Sequence, residues 1–257
     1  MVQICALASG SNGNAYYIGN ETSAVLIDAG ISRRQIVKRM HEVGLSIEKV
    51  KAVFVTHEHT DHLKGFRSIC ETQQVPGYIS SRTFEDSRPI YMPSKVTLFE
   101  PGDCISVGTI KVHSFAKQHD AADPCSFRVE IDGLNIGVMT DIGVACDKVK
   151  AHFSLCHAVF LEANYDEAML WAGPYPTYIK SRVASDSGHL SNNQTAELFQ
   201  NCASNLLTTL FLSHISADNN KVEFAMKAIE ALERTYSIYP TSRHFPSKLV
   251  ELESSTT

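Results

Sequence analysis

The sequence predicts an α/β chain built as a four-layer αββα sandwich, two mixed β-sheets flanked by helices. Three observations predict it. Short β-branched and aromatic runs separated by glycine turns recur in both halves of the 257 residues. Amphipathic helical patterns stand between those runs rather than in a block of their own. No shift in composition divides the halves, so both sheets are expected in a single domain over residues 1–245, with 246–257 a flexible tail.

The chain opens with a meander of strands at 4–8, 16–18 and 25–28, broken by Gly10, Gly13 and Gly19. Ser32 and Gln35 then make a capping box for a helix that puts Ile36, Val37, Met40 and Val43 on one face and closes at Gly44. Residues 50–55 form an apolar, β-branched run with the look of a buried strand. Phe66, Ile69 and Cys70 suggest a second helix, followed by strands at 78–79, 96–99 and 110–115. In the second half Asp132-Gly133 joins 127–131 to 135–139 as a hairpin, and 158–161 and 209–213 are further buried strands. Two amphipathic helices complete the set. One runs from the capping box of Ser191 and Gln194 through Phe199, Cys202 and Leu206; the other carries Val222, Met226, Ile229 and Leu232.

An apolar content of 44% is ample for a packed core. A net charge of -5 argues against wholesale coating by nucleic acid, while leaving local basic patches at Arg33-Arg34, Lys38-Arg39 and Lys180-Ser181-Arg182. The seven cysteines are odd in number and never spaced Cys-x-x-Cys, and the first residues lack the charged start and apolar stretch of a signal peptide. A reducing cytoplasm is expected, with the cysteines as small core hydrophobes. The apolar stretch at 206–212 is too short and too polar to cross a bilayer, so no membrane anchor is expected.

The densest chemistry follows the run at 50–55. His57-Glu58-His59-Thr60-Asp61-His62 places four metal-grade side chains within six positions. His57 and His59 point the same way off an extended segment because its side-chain period is two, while Asp61 and His62 belong to the turn that follows and can face a neighbouring ion. Two cations close together are the expected product. Imidazole with carboxylate suits zinc, manganese or iron rather than calcium. The spacing departs from the helical His-Glu-x-x-His of zinc proteases. Six residues of one stretch cannot enclose two ions, so distant strand ends must supply more ligands. His119, Asp141 and His214 each stand just past an apolar run and are the candidates.

With these residues the chain resembles the metallo-β-lactamase fold superfamily, whose His-x-His-x-Asp-His signature is matched at His57, His59, Asp61 and His62. Within it, the stretches at 8–14, 56–65, 119–121, 140–143 and 187–192 are similar to the bacterial YycJ/WalJ group, regarded as exonucleases acting on DNA from the 5′ end. The resemblance implies two divalent metal ions (Zn, Mn or Fe), with His57, His59 and His119 around one, Asp61, His62 and His214 around the other, and Asp141 bridging. Asp28 matches the aspartate that opens the superfamily's motif series and is expected to give structural support to the His57 loop.

His189 resembles the non-ligand histidine of the transfer-RNA-processing members and is expected to act as general acid, with Glu162 orienting it. Asp61, His189 and Glu162 form the expected catalytic set, although Glu162 also reads as a solvated strand end and His189 as a helix-entry residue beside Ser191. Two ions about 3.5–4 Å apart share a water and bring its pKa toward neutrality. The implied activity is a binuclear metal-dependent phosphodiesterase degrading DNA, including 5′-phosphorylated ends. A thioesterase or lactonase is the alternative, since fold does not fix substrate. The glycine-rich stretch at 9–14 either cradles a phosphate, with Asn14 in contact, or is simply a tight turn. Ser216 and Asn219, with Asn220, are read as contacts to a terminal phosphate or as plain N-cap residues.

Overall fold

Alternate residues of the first strand face different cores, and that alternation sets the architecture. In β1 (Val2–Ala8), Ile4 and Ala6 enter one cluster of buried side chains while Cys5 and Leu7 enter another. A strand covered on both faces requires this. The computed structural model describes residues 1–230 and 236–253.

Among the described residues, β1 is followed by β2 (Ala15–Gly19), β3 (Ala24–Ile27), β4 (Val50–Phe54), β5 (Gly77–Ser80) and β6 (Val96–Phe99). These lie side by side in that order, antiparallel from β1 to β3 and parallel from β3 to β6. The second sheet holds β7 (Cys104–Val107), β8 (Ile110–Ala116), β9 (Cys125–Ile131), β10 (Leu134–Met139), β11 (Ala158–Glu162), β12 (Thr209–Ser213) and β13 (Ser237–Pro240). It is antiparallel as far as β10 and parallel beyond. A last strand, β14 (Val250–Leu252), returns to the first sheet beside β1.

Parallel neighbours need crossovers, and helices supply them. On the first sheet these are α1 (Arg33–Glu42), α2 (Thr60–Leu63), α3 (Phe66–Gln73) and α4 (Ser81–Asp86). On the second they are α5 (Asp147–Phe153), α6 (Glu167–Ala172), α7 (Thr177–Val183), α8 (Asn192–Cys202) and α9 (Val222–Glu230). One core lies between the sheets, where Tyr16 meets Phe160 at 5.0 Å between ring centroids and Phe54 meets Phe127 at 5.6 Å. Two more lie outside. Ile36, Met40, Phe66 and Ile69 pack on the first sheet, and Val149, Phe153, Leu198 and Phe199 on the second. These four layers are the predicted sandwich.

Several expectations change. The tail is not loose as far as Leu252: Val2 pairs with Leu252, Val250 and Leu252 join the inter-sheet core, and the Ser247 hydroxyl accepts the Ala6 N–H at 3.0 Å. Three residues are too few to show a period, and the unpaired edge of β1 supplies their hydrogen bonds. The helix expected to reach Leu206 stops at Cys202, where Ala203 turns extended. Leu232 lies outside the described residues. Arg39 does not belong to a surface patch. It is buried and donates to the carbonyls of Leu7, Arg243 and His244 at 2.8, 3.0 and 2.9 Å, tying α1 to the start and end of the chain.

Candidate metal centre

Parallel strands in register deliver their carboxyl ends to one rim, the usual place for a site in an open α/β sheet. Asp28 follows β3, residues 56–62 follow β4, Asp141 follows β10, Glu162 ends β11 and His214 follows β12. Asp28, Asp141 and His214 all have left-handed backbones, with φ of 60°, 55° and 53°. Each such residue costs roughly 1 kcal/mol or more and gathers where function over-determines the backbone. Gly30 lets the metal-motif turn approach: a Cβ there would lie 1.5 Å from the Asp61 carbonyl oxygen. The two segments are stitched by Ala29 N–H to His62 O at 2.9 Å and Asn14 N–H to Asp61 O at 2.8 Å.

Asp28 is fully buried and fixes two imidazoles. Its Oδ2 lies 2.7 Å from His62 Nδ1. A carboxylate only accepts, so Nδ1 carries the proton and Nε2 turns a lone pair inward. Thr56 donates its hydroxyl to Asp28 at 2.9 Å and accepts from His57 Nδ1–H at 2.9 Å, which leaves His57 Nε2 unprotonated, 3.0 Å from His59 Nδ1. His119 donates Nδ1–H to the Gly188 carbonyl at 3.1 Å and keeps Nε2 for the centre.

The ligating atoms of His57, His59 and His119 lie within 4.8 Å of one another, the grouping expected for one ion. A second group is His57, His62 and Asp141, and a third is Asp141, Glu162, His189 and His214. His214 lies in the group with Glu162 and His189, and Asp141 is the member that this group shares with His57 and His62. Asp141 links the two sides, with Oδ2 at 3.5 Å from His62 Nε2 and Oδ1 at 2.9 Å from His214 Nδ1. Asp61 approaches His62 Nε2 to 3.5 Å from the rim.

These residues fit a divalent cation. Asp141 Oδ2 and His214 Nδ1 are buried and, close as their neighbours are, lack hydrogen-bond geometry with any. Leaving such atoms bare costs about 1–3 kcal/mol each. A cation satisfies both, and an all-nitrogen-and-oxygen donor set suits zinc, manganese or iron.

The field of the site agrees. Burial, aided by the charges of His62 and Lys117, holds His57 far below the usual imidazole range. Burial also pulls His119 down to about 3. Both are neutral, as ligands must be. Burial works against charge on His62 and His214, yet Asp28, Asp141 and Asp61 outweigh it at the first, and Asp141 and Glu162 at the second, raising both. Carboxylates that draw a proton there draw a dication more strongly.

Glu162 is not a solvated strand end. It is fully buried; Oε2 accepts the N–H groups of Ile142 and Leu190 at 2.7 and 3.3 Å, and Oε1 lies 2.8 Å from His189 Nδ1. Burial would raise its carboxyl, but the charge and hydrogen bond of His189 hold it down to about 2. His189 Nδ1–H donates to the ionised carboxylate, so Nε2 is the atom left to exchange a proton.

The three residues expected to contact substrate, Asn14, Ser216 and Asn219, are buried. Asn14 is fully buried, gripping Gly10 through both its backbone groups and facing His62 Nε2 at 3.1 Å. Ser216 accepts the N–H groups of Asp218 and Asn219, as a capping residue does. Asn219 is buried, and its Oδ1 has no hydrogen-bond partner. Sequence reasoning missed Thr56, whose relay is signalled only by its place between strand and motif. It also missed Lys117, a buried cation donating to Thr140 O at 2.7 Å, for which the sequence carries no signal.

A family profile described as the beta-lactamase superfamily domain matches residues 23–215. The chain belongs to that superfamily. Among its superfamily relatives, exodeoxyribonuclease YycJ of Bacillus anthracis is 32% identical over 254 residues, covering 95% of this chain and 96% of that one. Exodeoxyribonuclease WalJ of Streptococcus pneumoniae is 30% identical over 259 residues, 96% of each. Zinc-bound PqqB of Methylobacterium extorquens superposes with a TM-score of 0.73 at 14% identity, over 97% of this chain and 100% of that one, and shares the superfamily fold.

Proposed function

We propose that this chain is a binuclear metal-dependent phosphodiesterase that degrades DNA from the 5′ end. The observation that carries the reading is the fully buried Glu162 at 2.8 Å from His189 Nδ1, beside Asp141. A phosphodiester leaves as an alkoxide that needs a proton, and a thiolate does not. The full-length likeness to relatives named exodeoxyribonucleases supports the same substrate.

In this reading His57, His59 and His119 hold one ion, Asp61, His62 and His214 hold the other, and Asp141 serves both. The bound ions supply an activated water and neutralise the non-bridging phosphate oxygens. Asp28 and Thr56 keep His62 and His57 in the ligating tautomer. Glu162 keeps the Nδ1 proton on His189, and His189 Nε2 releases its own proton to the departing oxygen of the strand. Seven unpaired cysteines suit a reducing cytoplasm.

Metal-loaded protein should shorten end-labelled DNA from 5′-phosphate or 5′-hydroxyl ends in the presence of manganese or zinc. A thioester and a lactone offered in parallel should persist. Thioester turnover with intact DNA would overturn the proposal in favour of a small-molecule hydrolase, a reading that gives the Glu162–His189 pair nothing to do.

A further inference from the structure

Between β11 and α8 the chain makes a long excursion that carries α6 and α7 across the rim of the site. Its far end is locked beneath His119: the Gly188 carbonyl accepts a hydrogen bond from His119 Nδ1–H, and a Cβ on Gly188 would lie 2.2 Å from the Val183 carbonyl oxygen. On one side of the rim Arg182 Nε donates to Asp120 Oδ2 at 2.6 Å, next to His119. On the other side the Tyr175 hydroxyl donates to Asp218 at 2.6 Å, four residues past His214. The excursion thus spans the mouth from the His119 loop to the His214 loop.

Tyr178 precedes Arg182 by four residues in α7, so both lie on the face turned toward Asp120. It is 72% exposed. Trp171, the single tryptophan of the chain, is 52% exposed and is tied to α7 by Lys180 Nζ, which donates to its carbonyl at 2.8 Å. Large aromatic rings are normally buried, and two left open beside a hydrolytic site call for a flat partner. At the rim of a site read as a DNA hydrolase, the flat and repeating partner is a single nucleic-acid strand, whose every base offers a ring face for stacking.

We propose that Trp171 and Tyr178 form a stacking platform for single-stranded DNA, which leads the strand across the α6–α7 excursion into the metal centre. The proposal rests on the DNA reading of the site and assigns the surface that grips the substrate. Sequence tolerance follows, because stacking reads no base edge.

The test uses metal-loaded protein and a phosphorothioate oligothymidylate that resists cleavage. Trp171 emission should be quenched saturably by the single strand and far less by a blunt duplex of equal length. On cleavable single strands Tyr178→Ala should raise KM by about 5- to 150-fold, the range for one stacked base, with kcat changed much less. Tyr178→Phe should behave as wild type, since it keeps the ring. Unquenched emission, equal quenching by duplex, an unchanged KM in Tyr178→Ala or an equal loss in Tyr178→Phe would each overturn the platform. Wild-type protein that cleaves DNA while Tyr178→Ala matches it sinks the platform alone; wild type inert on every DNA sinks the nuclease reading itself.

Discussion

Replacing Asp28 by Asn isolates what one buried carboxylate does for two imidazoles. Asn matches its shape and tolerates the left-handed backbone at φ 60°, so the turn after β3 survives. Its one oxygen still accepts the Thr56 N–H, now 2.8 Å from Asp28 Oδ1. The amide nitrogen then faces His62 Nδ1, 2.7 Å from Oδ2 in the native protein, donor against donor. The ring escapes by moving its proton to Nε2, the atom 3.5 Å from Asp141 and Asp61, and the lone pair that a cation needs is gone.

Loss of such a supporting hydrogen bond weakens metal affinity by about 10- to 100-fold, or about 1.4–2.7 kcal/mol. Chelator competition with zinc or manganese measures it, with a thermal melt to confirm folding. Asp28→Ala should be worse for stability, by about 2–5 kcal/mol, because it strands the Thr56 N–H, the Thr56 hydroxyl and His62 Nδ1 without an acceptor. Wild-type metal affinity in Asp28→Asn would refute the tautomer argument.

Asp141→Asn, which also tolerates its left-handed backbone, should lose bound metal and all turnover; full activity would mean that another residue serves both ions. His189→Gln should keep its metal yet cleave DNA about a hundredfold or more slowly, and lose much less on an ester with a p-nitrophenolate leaving group. Metal loss in that variant would make His189 a ligand. Gly30→Ala drives a methyl group into the Asp61 carbonyl, so metal content and melting temperature should fall together, and an unaltered variant would contradict the close approach. Burial pushes the thiols of Cys5 up to about 11 and of Cys70 and Cys156 up to about 12, while Cys104 is exposed. Native protein should therefore alkylate first at Cys104 by mass spectrometry. The folded chain also holds these thiol protons longer than the unfolded one, so stability should decline as pH rises from about 9 toward 11.

The layers were legible because their signals are periodic. The apolar runs of the opening meander, the β9–β10 hairpin, the capping box at Ser191 and the apolar stripe of α1 each follow a local rule that the sequence shows. The ligands were legible because His57, His59, Asp61 and His62 crowd one strand end and the others follow apolar runs. What stayed hidden depends on distant partners. Nothing around Arg39 announces that three remote carbonyls will bury it, nothing around Asn14 that it faces His62, and nothing in residues 250–252 that β1 lacks a neighbour. Helices α6 and α7 are short, and their open aromatics break the amphipathic pattern that reveals a helix in sequence.

The end of the polypeptide acts as a latch on its beginning. Residues 242–252 hold Ser9, Leu7, Ala6 and Val2 through the Ser242 carbonyl, the Arg39 clamp, the Ser247 hydroxyl and β14, and the loop so anchored carries Asn14 to the ligands. A protease nick ahead of Ser247 would release a bare strand edge and loosen the hydrolytic centre together. Damage at the carboxyl end would thus silence the protein before it unfolds.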